Sequence, residues 1–209
     1  GVSITLDYDS SGALEGKLQL DRDSNKSRAD LYIPADVSFA ERAKGKGLTS
    51  ESIPIASFRL VLASSPEAGL SFSTLDEFLA LEVPFSICNV AAGVGKKTKG
   101  TLEKLGKWEA FEAARKTSSP RVPDAAAAIA TSDAVQAGFV WNTTARQFGL
   151  KIHELPELAK VQSNISVNVT TATAKATQAL LFARYLAAPE KGQIHFAKHH
   201  FSGVKGDAW

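Results

Sequence analysis

The sequence predicts an α/β fold, in mixed and mostly parallel sheets flanked by helices. Short apolar runs with the period of a strand alternate along the chain with longer runs that have the period of a helix. Residues 58–63 give the strongest strand signal, and residues 74–81 read as a helix with Thr74 as its N-cap. Strands that alternate with helices are typical of sheets covered by helices.

The other elements follow from the same patterns. Residues 2–8 place Val2, Ile4 and Leu6 on one face of a strand, and turn residues precede the next helix. The remaining predicted strands lie at 29–35, 84–90, 137–142, 150–155 and 165–169. The remaining predicted helices lie at 13–20, 36–44, 99–116, 124–130, 173–188 and 189–199.

Composition excludes several classes of protein. The chain has 209 residues, 44% of them hydrophobic, which suits one large domain or two small lobes and argues against disorder. The net charge is +2 and the basic residues are scattered, so the sequence does not indicate a nucleic-acid-binding surface. The longest apolar run, 125–130, is too short to cross a bilayer. The single cysteine, Cys88, sits in a predicted strand and reads as a core residue.

Few motifs carry chemistry by themselves. Residues 93–98 fail the phosphate-loop pattern, since Val90 and Lys97 stand where Gly and Ser or Thr are needed. A glycine-rich helix start could still bind an anion, or could be a plain close-packed turn. His195 and His199 have a metal-ligand spacing, but surface histidines are the favoured reading. No nucleophile motif or acid–base pair predicts an enzyme.

Taken together, several blocks resemble type 2 periplasmic solute-binding proteins, most of all the molybdate- and tungstate-binding components of ABC transporters. The blocks span almost the whole chain in family order, and they are DSSGAL (9–14), ADLYIPAD (29–36), LEKLGKW (102–108), AGFVWNTTA (137–145) and FARYLAAPE (182–190).

The resemblance implies a two-lobed protein with two crossing hinge strands, near residues 60–64 and 164–169. Lobe one would hold residues 1–63 and 164–209, and lobe two residues 64–163. The implied function is non-enzymatic: a monomer outside the cytoplasmic membrane, periplasmic or secreted, binds molybdate or tungstate between its lobes. It needs no cofactor and delivers the anion to an ABC permease. The alternatives are a sensor or interaction module of the same fold, or a binding protein for a different anion.

The resemblance implies six candidate ligand residues. Ser11, Val94, Val122 and Trp141 fall at or near the family's ligand positions, and Ser10 and Gly93 are neighbouring alternatives. Neutral hydroxyl and N–H donors would replace the hydration of the anion. The two serines also suit a helix N-cap, and Trp141 also suits core packing.

Three departures from the family pattern bear on this site. The family's first strand, serine turn and helix have no counterpart before Val2, so the chain is expected to be a fragment or to take that unit from another segment. Trp141 stands where the family has a tyrosine, and indole can donate but not accept a hydrogen bond. Pro123 lacks an N–H and would remove one donor if it, not Val122, were the aligned residue.

Overall fold

The computed structural model describes residues 3–206, which form two compact units. Of the described chain, the first unit holds residues 3–56, 164–197 and 203–206. The second unit holds residues 57–163 and 198–202. The division into lobes of residues 1–63 with 164–209 and of residues 64–163 stays a prediction.

Helices and strands alternate through both units. The helices are α1 Ser11–Asp23, α2 Val37–Gly45, α3 Leu75–Ala80, α4 Gly93–Lys104, α5 Trp108–Ala114, α6 Val122–Thr131, α7 Asn142–Gln147, α8 Ala176–Ala187 and α9 Gly192–Lys198. The strands are β1 Leu31–Tyr32, β2 Thr49–Ser64, β3 Phe85–Ser86, β4 Ala137–Trp141, β5 Lys151–His153 and β6 Gln162–Thr170. None of the helices among the described residues is long and apolar enough to span a membrane.

In the first unit, β6 lies between β1 and β2, and β1 pairs with it antiparallel. Helices α1 and α2 contact each other and share a core made by Leu18, Tyr32, Ala43 and Leu48. An ion-pair network joins the same helices, because the buried carboxylate of Glu15 accepts hydrogen bonds from the side chains at positions 42 and 46. The start of α1 is therefore held firmly over β1.

In the second unit, β4 lies between β2 and β3, and β5 pairs with β2. Helices α4 and α6 pack against β4. Four phenylalanine rings form the centre of the core with neighbouring centroids 5.3–6.3 Å apart; they are Phe78, Phe85, Phe111 and Phe139. This apolar centre fixes the edge of the sheet from which α4 starts.

The predicted fold class is confirmed, since a mixed sheet is flanked by helices. Strands β2 and β6 each run from one unit into the other, as predicted for the crossing strands. The expected excess of parallel pairs is wrong for the described ladders β1–β6, β2–β4 and β2–β5, which are antiparallel, while β3–β4 is parallel. The long crossing strands run against these neighbours, which alternation along the chain does not predict.

The strands predicted at 29–35 and 84–90 are reduced to β1 and β3, and two other predicted elements differ more. Residues 3–9 form no strand and are exposed, because no described strand pairs with them; Val2 lies outside the described residues. The helix predicted at 99–116 is instead α4 and α5. Gly106 breaks it with a φ of 68°, and the Lys107 N–H closes the end of α4 on the Leu102 carbonyl at 2.8 Å.

Candidate functional site

Ser10 is the N-cap of α1 in the first unit. Its hydroxyl oxygen accepts a hydrogen bond from the Ala13 N–H at 3.3 Å, and its backbone is extended, as an N-cap requires. The side chain is exposed. Ser10 therefore has a structural task of its own at the start of the helix, while its hydroxyl proton is still available for donation.

Ser11 is the first residue of α1 and is held from two sides. Its hydroxyl oxygen accepts a hydrogen bond from the Ala35 N–H at 3.1 Å, and its carbonyl accepts one from the Tyr32 hydroxyl at 2.8 Å. A hydroxyl has one proton to donate and two lone pairs. Because the Ala35 N–H occupies a lone pair, the Ser11 proton can be donated to a further acceptor such as an anion.

Tyr32 is suited to this supporting role. Burial raises the pKa of the Tyr32 phenol, and the nearby Glu15 carboxylate raises it further, so the hydroxyl stays protonated and can donate. The pKa of Glu15 is lowered, first by its hydrogen bond with Arg42, although burial opposes that shift. A charged carboxylate and a protonated phenol thus coexist beneath the first turn of α1.

Gly93 and Val94 begin α4 in the second unit. The N-cap of this helix is Ala92, which makes no side-chain capping hydrogen bond. Asn89 shapes the approach, because its Oδ1 accepts from the Ala91 N–H at 2.9 Å. A helix start without a side-chain cap presents N–H groups that suit an anion.

Gly95 keeps this helix start close to the preceding strand. A Cβ atom at this position would lie 2.4 Å from the Cys88 carbonyl oxygen and 2.1 Å from that of Asn89. Only glycine avoids this overlap with backbone, so the packing of α4 on its own entry loop requires it. Gly95 was not among the predicted site residues.

Val122 begins α6, and its side chain is half-buried. Pro123 takes the next position, where the missing N–H costs no helical hydrogen bond. The N-cap is Arg121, whose guanidinium makes two hydrogen bonds of 2.9 Å to the Asp124 carboxylate. The carboxylate offsets the positive charge beside Val122, so the donors at this helix start are neutral N–H groups.

Trp141 ends β4 and is buried, with 6% of its surface exposed. Its ring lies 4.4 Å from that of Phe58, tilted by 55°, and its backbone pairs with Leu60 of β2. The side chain therefore takes part in the core of the second unit, as the packing interpretation expects.

The second-unit candidates come together at one edge of the sheet. Strands β3 and β4 are parallel, so the start of α4 after β3 and Trp141 at the end of β4 share the carboxyl edge. The loops before α4 and α6 are joined by a 2.9 Å hydrogen bond from the Asn89 N–H to the Ser119 carbonyl. In the first unit, Ser10 and Ser11 are adjacent at the start of α1.

Other candidate groups have ordinary structural roles. Cys88 is 2% exposed, as predicted for a core residue, and burial raises the pKa of its thiol to about 12, with a smaller effect of Asp124. His195 lies in α9, but His199 follows the end of that helix, so the pair does not share a helical face. No group of three or more His, Cys, Asp or Glu side chains within residues 3–206 could hold a metal.

The supporting residues gave little signal in the sequence. Tyr32 and Ala35 lie in the block ADLYIPAD, but the donor at Ala35 is a backbone group that any residue would supply. Asn142 lies in the block AGFVWNTTA; it is 7% exposed and its amide joins two backbone segments. Its burial and its partners distinguish it, and these only the fold shows.

A family model described as bacterial extracellular solute-binding protein matches residues 1–202. The chain belongs to this family. No curated protein matches the chain at a significant level.

Solved structures of solute-binding proteins share this fold. The periplasmic molybdate-binding protein of Azotobacter vinelandii matches with a TM-score of 0.74 at 20% identity, over 98% of this chain and 89% of that one. The substrate-binding domain of a putative molybdenum ABC transporter from Clostridium difficile gives 0.73 at 19%, over 97% and 87%. A ferric binding protein from Campylobacter jejuni gives 0.77 at 13%, over 100% and 80%. Because these identities are all 20% or lower, the similarity shows a shared fold and not a shared ligand.

Proposed function

We propose that the chain is the solute-binding component of an ABC importer and that it binds a tetrahedral oxyanion, molybdate or tungstate. The observation that carries this proposal is the arrangement at Ser11, where the Ala35 N–H occupies a lone pair and the hydroxyl proton is available for donation. An anion needs donors, and this serine is set to be one.

The second unit offers donors of the same neutral kind. The N–H groups of Gly93, Val94 and Val122 lie at helix starts that no side chain caps. Helix N-termini favour negative charge through their exposed N–H groups and their dipole. The donors we propose are the hydroxyls of Ser10 and Ser11 in the first unit and these backbone groups in the second.

Trp141 would close the apolar side of this site. Its buried ring gives a dry, rigid surface near the end of β4, and its indole N–H is a donor only. A donor without acceptor capacity suits a fully ionised oxyanion better than a protonated one. This preference would favour molybdate and tungstate over a protonated phosphate species at neutral pH.

Both the family and the fold support a binding role rather than catalysis. The family consists of extracellular solute-binding proteins, and structures with this fold include two from molybdenum or molybdate systems. We propose that the protein works outside the cytoplasmic membrane as a monomer and presents its anion to an ABC permease. Neither turnover nor a bound cofactor is part of this role.

A thermal-shift titration tests the proposal. Ligand that binds only the native state raises stability in proportion to RT ln(1 + [L]/Kd), so a specific anion raises Tm and an unbound one does not. The protein would be titrated with molybdate, tungstate, sulfate, phosphate and a ferric salt at constant ionic strength. The proposal predicts a rise with molybdate and tungstate alone. A rise with another anion only would favour a different ligand, and no rise would favour the sensor or interaction module.

A further inference from the structure

Residues 198–202, the terminal crossing segment, belong to the second unit, whereas the chain on both sides of them belongs to the first. The chain therefore enters and leaves the second unit here, in addition to the crossings of β2 and β6. A segment so short needs specific contacts to stay docked, because it contains only the last residue of α9 and one isolated bridge at Ser202.

Asn142 makes a side-chain hydrogen bond to this segment. Its Oδ1 accepts a hydrogen bond from the Arg59 N–H at 2.7 Å, and its Nδ2 donates one to the His200 carbonyl at 3.2 Å. The side chain thus links β2 to the terminal crossing segment from a buried position, with 7% of its surface exposed. Buried amides that lose such partners are costly, so this bond is expected to persist in the native state.

Backbone and ring contacts surround the same point. Ser57 and Ser202 exchange two backbone hydrogen bonds, each of 2.8 Å. The Phe201 ring meets Phe58 edge-on at 5.8 Å, and Phe58 in turn packs against Trp141 at 4.4 Å. Docking of the terminal crossing segment is therefore continuous with the packing of a proposed ligand residue.

The first unit holds the flanking chain in a parallel way. The Gln193 amide nitrogen donates to the carbonyl oxygens of Ala187 at 2.6 Å and Val204 at 3.1 Å. Its oxygen accepts from the Val204 N–H at 3.1 Å. A buried amide in each unit thus fixes the chain on either side of the crossing.

We infer that Asn142 is a positioning residue, which anchors the terminal crossing segment to the second unit and couples that crossing to anion binding. The inference rests on the proposed function, because the segment packs through Phe201 and Phe58 against Trp141, which is a proposed ligand residue. When the Asn142 contact is lost, the segment is docked in only a fraction of the molecules. Only that fraction can bind the anion, so the apparent affinity falls in proportion to it.

Amide hydrogen exchange tests the anchor without any ligand. The Asn142→Asp variant keeps an oxygen that accepts from the Arg59 N–H. It loses the bond to the His200 carbonyl, because a carboxylate oxygen cannot donate to it. The negative charge itself is tolerated, because the variant residue lies at the start of α7. Exchange of the Ser202 N–H is expected to rise about tenfold while that of Arg59 stays protected. Asn142→Ala should expose both. Ser64→Ala is the control, because Ser64 is buried and bonds His153 at 2.9 Å, away from the segment.

Calorimetric titration with molybdate tests the coupling. The Asn142→Asp variant is expected to bind about tenfold more weakly than the wild type. The Ser64→Ala control is expected to stay within about twofold of the wild type, even where its melting temperature falls. This readout separates positioning from a general loss of stability.

The outcomes are distinct. Unchanged exchange at Ser202 in both Asn142 variants would overturn the anchor. Raised exchange with unchanged molybdate affinity would overturn the coupling and leave a purely structural contact. If the wild type bound none of the tested anions, the proposed function would fail and the coupling with it, while exchange at Ser202 would still decide whether Asn142 is the anchor.

Discussion

The Ala35 N–H donates a hydrogen bond to the side-chain oxygen of Ser11 at 3.1 Å, across 24 residues of sequence. This contact joins the start of α1 to the loop that follows β1. It leaves the hydroxyl proton of Ser11 for another partner. Ser10 also keeps its proton, but its oxygen caps the helix by accepting from the Ala13 N–H. Two adjacent serines thus differ in role, and that difference can be measured.

Ser11→Ala is expected to weaken molybdate binding about tenfold or more, since one charge-assisted hydrogen bond to the anion is lost. Ser10→Ala should instead lower stability by about 1 kcal/mol through loss of the cap, with a smaller change in affinity. Calorimetric titration and urea unfolding of both variants separate the two effects. Equal affinity of Ser11→Ala and wild type would remove Ser11 from the site.

Tyr32→Phe removes the hydroxyl that holds the Ser11 carbonyl at 2.8 Å. The first turn of α1 loses one fixed point, and we expect the molybdate affinity to fall several-fold, with a stability loss of about 1 kcal/mol. Tyr8→Phe is the matched control, because Tyr8 precedes Ser10 and Ser11 closely in sequence and is 82% exposed. The account would be contradicted if both variants bound molybdate as the wild type does.

Gly95→Ala and Gly100→Ala place the same methyl group in the same helix with opposite consequences. At Gly95 the new Cβ would meet backbone oxygens at 2.1 Å and 2.4 Å, and we expect a loss of more than about 2 kcal/mol. At Gly100 nothing lies within 4 Å, so alanine should stabilise α4 by up to about 1 kcal/mol. Urea unfolding measures both, and tolerance of alanine at position 95 would refute the close packing of the α4 start.

His153 makes stability depend on pH. Burial lowers its pKa from 6.5 to about 4, with a smaller effect of Lys151, so the folded protein keeps this ring neutral against Ser64 and Phe72. The unfolded chain binds the proton more readily, so this contribution is fully present above about pH 6.5 and is lost as the pH falls toward 4. At about 1.4 kcal/mol per pKa unit, the loss is at most about 3.5 kcal/mol.

The measurement is the free energy of unfolding at pH 7.5 and pH 4.5 for the wild type and for His153→Gln. Carboxylates titrate in both proteins, so their effect cancels in the difference, and the variant should lose less stability on acidification. His195→Gln, at an exposed position of α9, should keep the pH dependence of the wild type. If His153→Gln also kept it, the buried histidine would not be its source.

Local patterns predicted the element types better than their pairing. Thr74 was predicted as an N-cap and does accept from the Glu77 N–H at 3.1 Å, because capping depends on neighbours in sequence. The strand at residues 2–8 was predicted from alternation alone, but a strand also needs a partner to pair with. The break at Gly106 was missed because an apolar helical period continues across it.

The proposed site could be derived from the sequence only in part, for a similar reason. The resemblance supplied Ser10, Ser11 and the starts of α4 and α6, where local turn chemistry is visible in the sequence. Ser11 accepts hydrogen bonds from the Ala35 N–H and the Tyr32 hydroxyl. Both groups are distant in sequence, and only the fold brings them close to Ser11. Asn142 likewise acts on backbone far away in sequence, and no spacing rule points to it.

Calorimetric titration of the protein with molybdate, in buffer containing sulfate at a hundredfold excess, tests the central claim most directly. The account predicts one molybdate bound per chain with an affinity that sulfate does not abolish, and a clear weakening in Ser11→Ala. No heat of binding with molybdate or tungstate would contradict the oxyanion assignment, and the same affinity in wild type and Ser11→Ala would contradict the role given to this serine.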